Sequence, residues 1–234
     1  MSRKTIYVHH SFLFFAILVA LLVVVVALVF FGAISVAFEK VGFTPFTILL
    51  ILAGTLIGSF INIPLLKLRT TVPVIREDSV SWFGMTYQIP QIEYGEAVTQ
   101  VAVNVGGALI PTAVCIYLLI KSAPSTIILS FIGVVAVALV THLVAKPVKG
   151  VGISTPAFIP PIAAAVAALV LAPAHPLTIA YIAGVLGTLI GADLLNLQKI
   201  PKLGAPVASI GGAGTFDGVF LTGIIAVLLA AFFG

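Results

Sequence analysis

The chain has 234 residues, 61% of them hydrophobic and 8% charged, with a mean hydropathy of +1.30. A soluble domain carries about a quarter charged residues, so the composition excludes a water-soluble globular fold and predicts an all-α, polytopic integral membrane protein. The formal net charge of +4 comes from scattered basic residues, which excludes a nucleic-acid-binding stripe and reads as an orientation signal instead.

The first apolar run, Phe12–Phe38, is longer than a signal-peptide core of about 7–15 residues and lacks a small-residue cleavage site. It predicts a retained helix. A spanning helix needs about 20 mostly apolar residues. On that rule the chain holds seven spans, near 12–38, 46–66, 97–120, 125–145, 157–173, 176–195 and 217–233. With the N-terminus in the cytoplasm, the inner segments carry Arg3, Lys4, Lys67, Arg69, Arg76, Lys146, Lys149, Lys199 and Lys202, against Lys40 and Lys121 outside. That asymmetry predicts a cytoplasmic N-terminus, an external C-terminus and a multi-pass protein of the cell (plasma) membrane. The single cysteine, Cys115, lies in an apolar run, which excludes a disulfide framework and a thiolate metal site.

We treat residues 1–234 as one polytopic membrane domain with one insertion, the cytoplasmic connection 67–96. Thr70–Ile75 and Val80–Ile89 are rich in β-formers, and Glu77–Ser79 reads as the turn of a small hairpin. Glu96, Gln100, Asn104 and Gly107, spaced by four, four and three, place polar groups on one face of the expected third span. Further on, "KPVKGVGISTPAFIPP" (146–161) is too rich in proline and glycine for regular helix, and irregular backbone at membrane depth lines a cavity or packs against protein. His142 and His175 read as structural, since neither forms a ligand set with an acid.

Of seven acids, Asp193 and Asp217 alone are embedded in apolar sequence, where ionisable groups are costly and mark function. Asp193, in "GTLIGADLLNL", lies about 25 Å along the sixth span from its outer end. Asp217 opens the seventh span from the same side, so the two carboxyls are expected at similar depth. Glycines at 187, 191, 211, 212, 214 and 218 let backbones approach, and Asn196 falls on the same helical face as Asp193. Two such carboxyls share one proton and titrate as a unit, so one can take a proton from water while the other donates to a carbonyl oxygen. The competing readings are separate pairing of the acids with Lys199 or Lys202, and Asp217 as a helix N-cap. No spacing makes a metal site or a serine triad. "GGAG" (211–214) lacks the lysine and the preceding strand of a phosphate loop.

Across nearly its whole length the chain resembles the domain of unknown function 1614 family of archaeal and bacterial membrane proteins. The stretches that carry the resemblance are "NVGGALIP" (104–111), "KPVKGVGISTPAFIPP", "LGTLIGADLLNL" (186–197) and "GAPVASIGGAGTFDGVFLTGI" (204–224). More loosely, "FD" (216–217), "IGAD" (190–193) and "PAF" (156–158) are similar to the three short motifs of presenilin and signal-peptide-peptidase type intramembrane aspartyl proteases, in changed order. This second resemblance implies Asp193 and Asp217 as catalytic pair. It also implies Pro156, Ala157, Phe158, Gly191, Phe216 and Gly218 at the substrate; Asn104 and Asn196, by their own positions in the sequence, read as supporting polar groups. No metal or cofactor is implied. The expected partners are the lipid bilayer and a transmembrane or membrane-associated peptide, with no nucleic acid; an oligomer is compatible. Buried acids and glycine-broken helices also describe an ion- or proton-coupled transporter using Asp193 and Asp217 as cation sites. A non-catalytic membrane scaffold is the third alternative.

Overall fold

Apolar segments in lipid can satisfy their amides only within themselves, and this chain is accordingly mostly helical. The computed structural model describes residues 10–82, 85–149, 152–212 and 218–234. Among these residues there are seven α-helices: α1 (His10–Lys40), α2 (Pro45–Gly58), α3 (Ile110–Lys121), α4 (Pro124–Val144), α5 (Ile159–Leu171), α6 (Pro176–Thr188) and α7 (Gly218–Phe233). Proline stands in the first turn of α2 through α6, where its missing N–H leaves no orphan donor. Three segments, Phe15–Lys40, Pro124–Val144 and Pro176–Pro201, are long and apolar enough to cross a membrane; Pro45–Gly58, Val105–Lys121, Ile159–Leu171 and Gly218–Phe233 are shorter.

α6 is the central helix. Ile179 through Val185 are buried on every side, as expected of a helix that is apolar all round. Small residues bring its neighbours close: a Cβ on Gly187 would lie 2.6 Å from Val137 Cβ of α4, and one on Gly223 of α7 would lie 2.5 Å from Val185 Cγ2. By contrast, α1 joins the core only through its last turns, where Phe38 meets the rings of Tyr181 and Phe220 at 5.7 and 6.2 Å. The rest of its described length is largely exposed.

Two expected spans begin or end elsewhere. Helix α2 stops at Gly58, and β1 (Asn62–Trp82) follows; β2 (Met85–Asn104) then occupies the sequence where the third span was expected to begin. The two strands pair antiparallel from Asn62↔Asn104 to Trp82↔Met85. The hairpin therefore reaches well past 67–96 at both ends, and Glu77–Ser79 lies within β1 rather than in a turn. Glu96, Gln100 and Asn104 are strand residues. Their spacing of four is a whole number of strand repeats as well as about one helical turn, so it fits either element. A short strand, β5 (Val207–Ile210), adds in parallel to the base of β2, from Gln100↔Val207 to Val103↔Ile210, in the order β1-β2-β5. The proline-rich stretch 146–161 supplies a separate two-stranded hairpin, β3 (Lys146–Val148) with β4 (Gly152–Ser154).

The α4–α6 contact gives a direct test. Gly187→Ala forces a methyl against Val137 and should lower the unfolding midpoint in detergent by roughly 2–10 °C, at an overpacking cost of about 1–3 kcal/mol. Gly32→Ala, on exposed α1 with open space around it, should leave the midpoint unchanged or slightly raised.

Candidate functional site

Helix α6 does not end cleanly. It runs into a π-helical turn, Leu189–Asp193, and then a 3-10 segment, Leu194–Leu203, with Pro201 inside it. Each change of helical repeat frees carbonyls, and π-turns recur at functional sites for that reason. Asn196, fully buried, serves the freed groups: its Nδ2 donates to Gly191 O (3.1 Å) and Ala192 O (2.9 Å), and its Oδ1 accepts from Lys199 Nζ at 2.8 Å. His142 of α4 stands beside it, with Nδ1 3.3 Å from Asn196 Nδ2 and 3.4 Å from Gly191 O. This cluster fixes the backbone that carries Asp193. Asn196 acts on that backbone rather than on the carboxylate.

The Asp193 carboxylate accepts a 2.8 Å hydrogen bond at Oδ2 from the Gly211 amide. Gly211 follows β5 directly and has φ +81°, a left-handed conformation that favours glycine. A Cβ there would lie 2.6 Å from Ala108 Cβ and 2.7 Å from Ala108 N. Strand β5 is held in place by Gln100 N→Pro206 O (2.9 Å), Thr99 Oγ1→Ala205 O (2.8 Å) and Ser209 Oγ→Asn62 Oδ1 (2.7 Å). Buried Asn104 secures the next layer. Its Oδ1 accepts from Gly107 N (2.7 Å), capping a second π-turn, Val105–Leu109, while its Nδ2 donates to Ser59 O (2.8 Å) and Asn62 Oδ1 (3.1 Å).

These elements enclose a cavity of about 340 Å³. It is lined by Thr188, Ala192, Asp193 and Ile200 from the end of α6 and the segment after it, by Gly152, Ile153 and Thr155 of the β4 segment, by Val207, Ala208 and Ser209 of β5, and by Gly212, Gly218 and Val219. Thr188 is 3% exposed, and its hydroxyl has no hydrogen-bond partner among the described residues. A buried hydroxyl without a partner is costly, so this one offers a contact to whatever enters.

Of the sequence-predicted residues, Asp193 and Gly218 line the cavity. Phe216 and Asp217 lie outside the described residues, so the separation of the two carboxyls does too. Pro156, Ala157 and Phe158 are exposed, Phe158 at 69%, and Thr155 lines the cavity in their place. Gly191 is buried against Ala138 and Thr141 of α4, a packing role. The stretch "GGAG" does follow a strand, β5, contrary to expectation; the lysine of a phosphate loop is still missing. Sequence reasoning passed over Thr155, Thr188, Ser209 and the Gly211 amide. The signal for the last was the Gly-Gly pair after the β-forming "VASI".

The family model described as Protein of unknown function (DUF1614) matches residues 56–229, well over half of the chain, and the chain belongs to that family. No curated protein and no solved structure matches it.

Three substitutions probe this geometry. Gly211→Ala and Gly204→Ala both place a side chain in the left-handed region, but Gly204 has open space around it. Gly204→Ala should therefore cost about 1–2 kcal/mol and Gly211→Ala clearly more, measured by thermal unfolding. Asn196→Ala leaves two carbonyls and a lysine without their partner and should destabilise by about 1–3 kcal/mol in the same assay.

Proposed function

We propose that this family member is an intramembrane aspartyl protease in which Asp193 and Asp217 share a proton and activate water. The observation that carries the reading is the cavity, lined by Asp193 on one side and by Gly218 on another. Gly218 is the covalent neighbour of Asp217. In the reaction, the water oxygen bonds to the scissile carbonyl carbon. One carboxylate takes the water proton, while the partner carboxyl donates its proton to the carbonyl oxygen. Collapse of that intermediate breaks the C–N bond. The carboxyl that took the water proton passes it to the departing nitrogen, while the other carboxylate regains a proton from a diol hydroxyl, releasing a new carboxyl and a new amine.

The substrate in this reading is a transmembrane or membrane-proximal segment, bound in extended form. Strand β5 supports it: among the described residues it pairs with β2 alone, so its other edge is open to an added strand. Strand β4, which also lines the cavity, likewise pairs only with β3 among the described residues. All seven helices cross the plasma membrane in this proposal, with the N-terminus cytoplasmic and the C-terminus outside. The excess of inner basic residues supports that orientation, and the shorter helices are accommodated by local thinning of the bilayer. The unpartnered Thr188 hydroxyl beside Asp193 favours a second reading, a cation or proton site of a transporter.

The test uses the full chain in liposomes with a reporter transmembrane peptide. Asp193→Asn and Asp217→Asn should each lower cleavage by at least about 100-fold while the unfolding midpoint stays near that of the wild type. Full activity in either variant sinks the protease reading. An inert wild type, together with ion-dependent thermal stabilisation lost in both variants, replaces it with the transporter.

A further inference from the structure

A second groove lies away from this site, between α2 and α3. The two helices run antiparallel and meet closely at one end, where a Cβ on Gly58 would lie 2.9 Å from the Gly106 amide nitrogen. Midway they still touch, since a Cβ on Gly54 would lie 3.3 Å from Ile110 Cδ1. At the other end the rings of Phe43 and Tyr117 stand 5.4 Å apart. The wedge between them holds about 440 Å³, lined by Leu50, Ile51, Ile110, Ala113, Val114 and Tyr117, with Phe43 and Thr47 at the wide end. That volume lies within the roughly 300–1,000 Å³ usual for small-molecule sites. On the same two helices Phe46, Ile116 and Ile120 are exposed, as are Leu50 and Tyr117 of the lining. On a membrane protein this face meets lipid.

The wide end differs in chemistry from the rest. Lys121 Nζ stands 6.0 Å from the centroid of the Tyr117 ring. Helix α2 begins there, and Thr44 and Thr47 join hydroxyls at 2.9 Å across its first turn. A helix N-terminus carries partial positive charge, a lysine a full one, and tyrosine prefers the headgroup level. Glu39 and Lys40, which end α1 just before this loop, cancel in charge and leave Lys121 to set the sign. An apolar wedge that ends in a cation matches one class of molecule.

We infer that the α2–α3 groove binds an anionic phospholipid, one acyl chain lying in the wedge and the phosphate-bearing headgroup at Lys121. This does not depend on the protease reading. The test compares dioleoyl phosphatidylglycerol with dioleoyl phosphatidylcholine on the full chain in mixed micelles, by native mass spectrometry and thermal unfolding. Phosphatidylglycerol should stay bound and raise the midpoint more than phosphatidylcholine does. Lys121→Gln, at an exposed position, should weaken phosphatidylglycerol about five-fold and leave phosphatidylcholine unchanged. Ala113→Phe, also exposed, fills the wedge and should remove retention of both lipids. Equal binding of the two lipids by the wild type overturns the proposal, as does wild-type retention in Ala113→Phe. A change from dimer to monomer in Ala113→Phe also overturns it, assigning the groove to a second copy of the chain.

Discussion

The hydrogen bond from the Gly211 amide to the Asp193 carboxylate is the contact on which the surrounding architecture depends. A carboxylate in an apolar bundle is costly unless a donor reaches it, and a backbone amide can do so only if its segment is fixed. Strand β5 is fixed by its pairing with β2 and by the Thr99 and Gln100 contacts to residues 205 and 206. Gly211 then turns left-handed against Ala108, in a space that admits no side chain. The sheet, the second π-turn and the end of α6 thus meet at one amide. Loosening any of them moves the donor away from Asp193.

The same constraint explains why two asparagines, rather than charged residues, hold the irregular backbone. Where a helix changes repeat inside an apolar bundle, amides and carbonyls need partners of both kinds at short range. The asparagine side chain supplies an acceptor and two donors without charge. Asn104 caps one π-turn through Gly107 and binds Ser59 O. Asn196 binds Gly191 and Ala192 at the other. Both are fully buried. A carboxylate at either position would lack the donors that these bonds require, which is why the acid stands nearby at 193 and faces a cavity instead.

Much of the helical layout was legible because hydropathy is a bulk signal that survives without packing detail. Each apolar run became a helix, and the proline-rich stretch at 146–161 became irregular chain and a short hairpin. The hairpin's extent was not legible. Val98, Val101 and Val103 look like the start of an apolar span, yet β2 carries them as far as Asn104. The polar spacing of four fits a strand face as well as a helix face. Glu77–Ser79 has turn composition but pairs within β1, opposite Gln88–Pro90. At the site, Asp193 was readable as a lone acid in apolar sequence. Its donor was not, because a backbone amide leaves no mark beyond the glycines that free it to turn. Thr188 was equally silent, since a threonine in a helix usually returns its hydroxyl to the preceding turn, and here it does not.

In the protease proposal, the edge of β5 that no described strand pairs is what favours a peptide over an ion at this cavity. A scissile bond inside a transmembrane helix is covered by neighbouring side chains, with its amides bonded along the helix. Exposing it to water requires local unwinding, and each unsatisfied backbone group at membrane depth costs several kcal/mol. A strand edge lowers that cost by accepting the unwound backbone as a further strand. Val207, Ala208 and Ser209 line the same cavity as Asp193, and among the described residues β5 pairs with β2 alone. An ion needs a carboxylate and a few oxygens, which strand carbonyls also supply, whereas an extended peptide uses the amides of the edge as well as its carbonyls. The Thr188 hydroxyl, without a partner among the described residues, is the feature that favours an ion; the edge of β5 is the feature that favours extended chain, and the protease proposal rests on it.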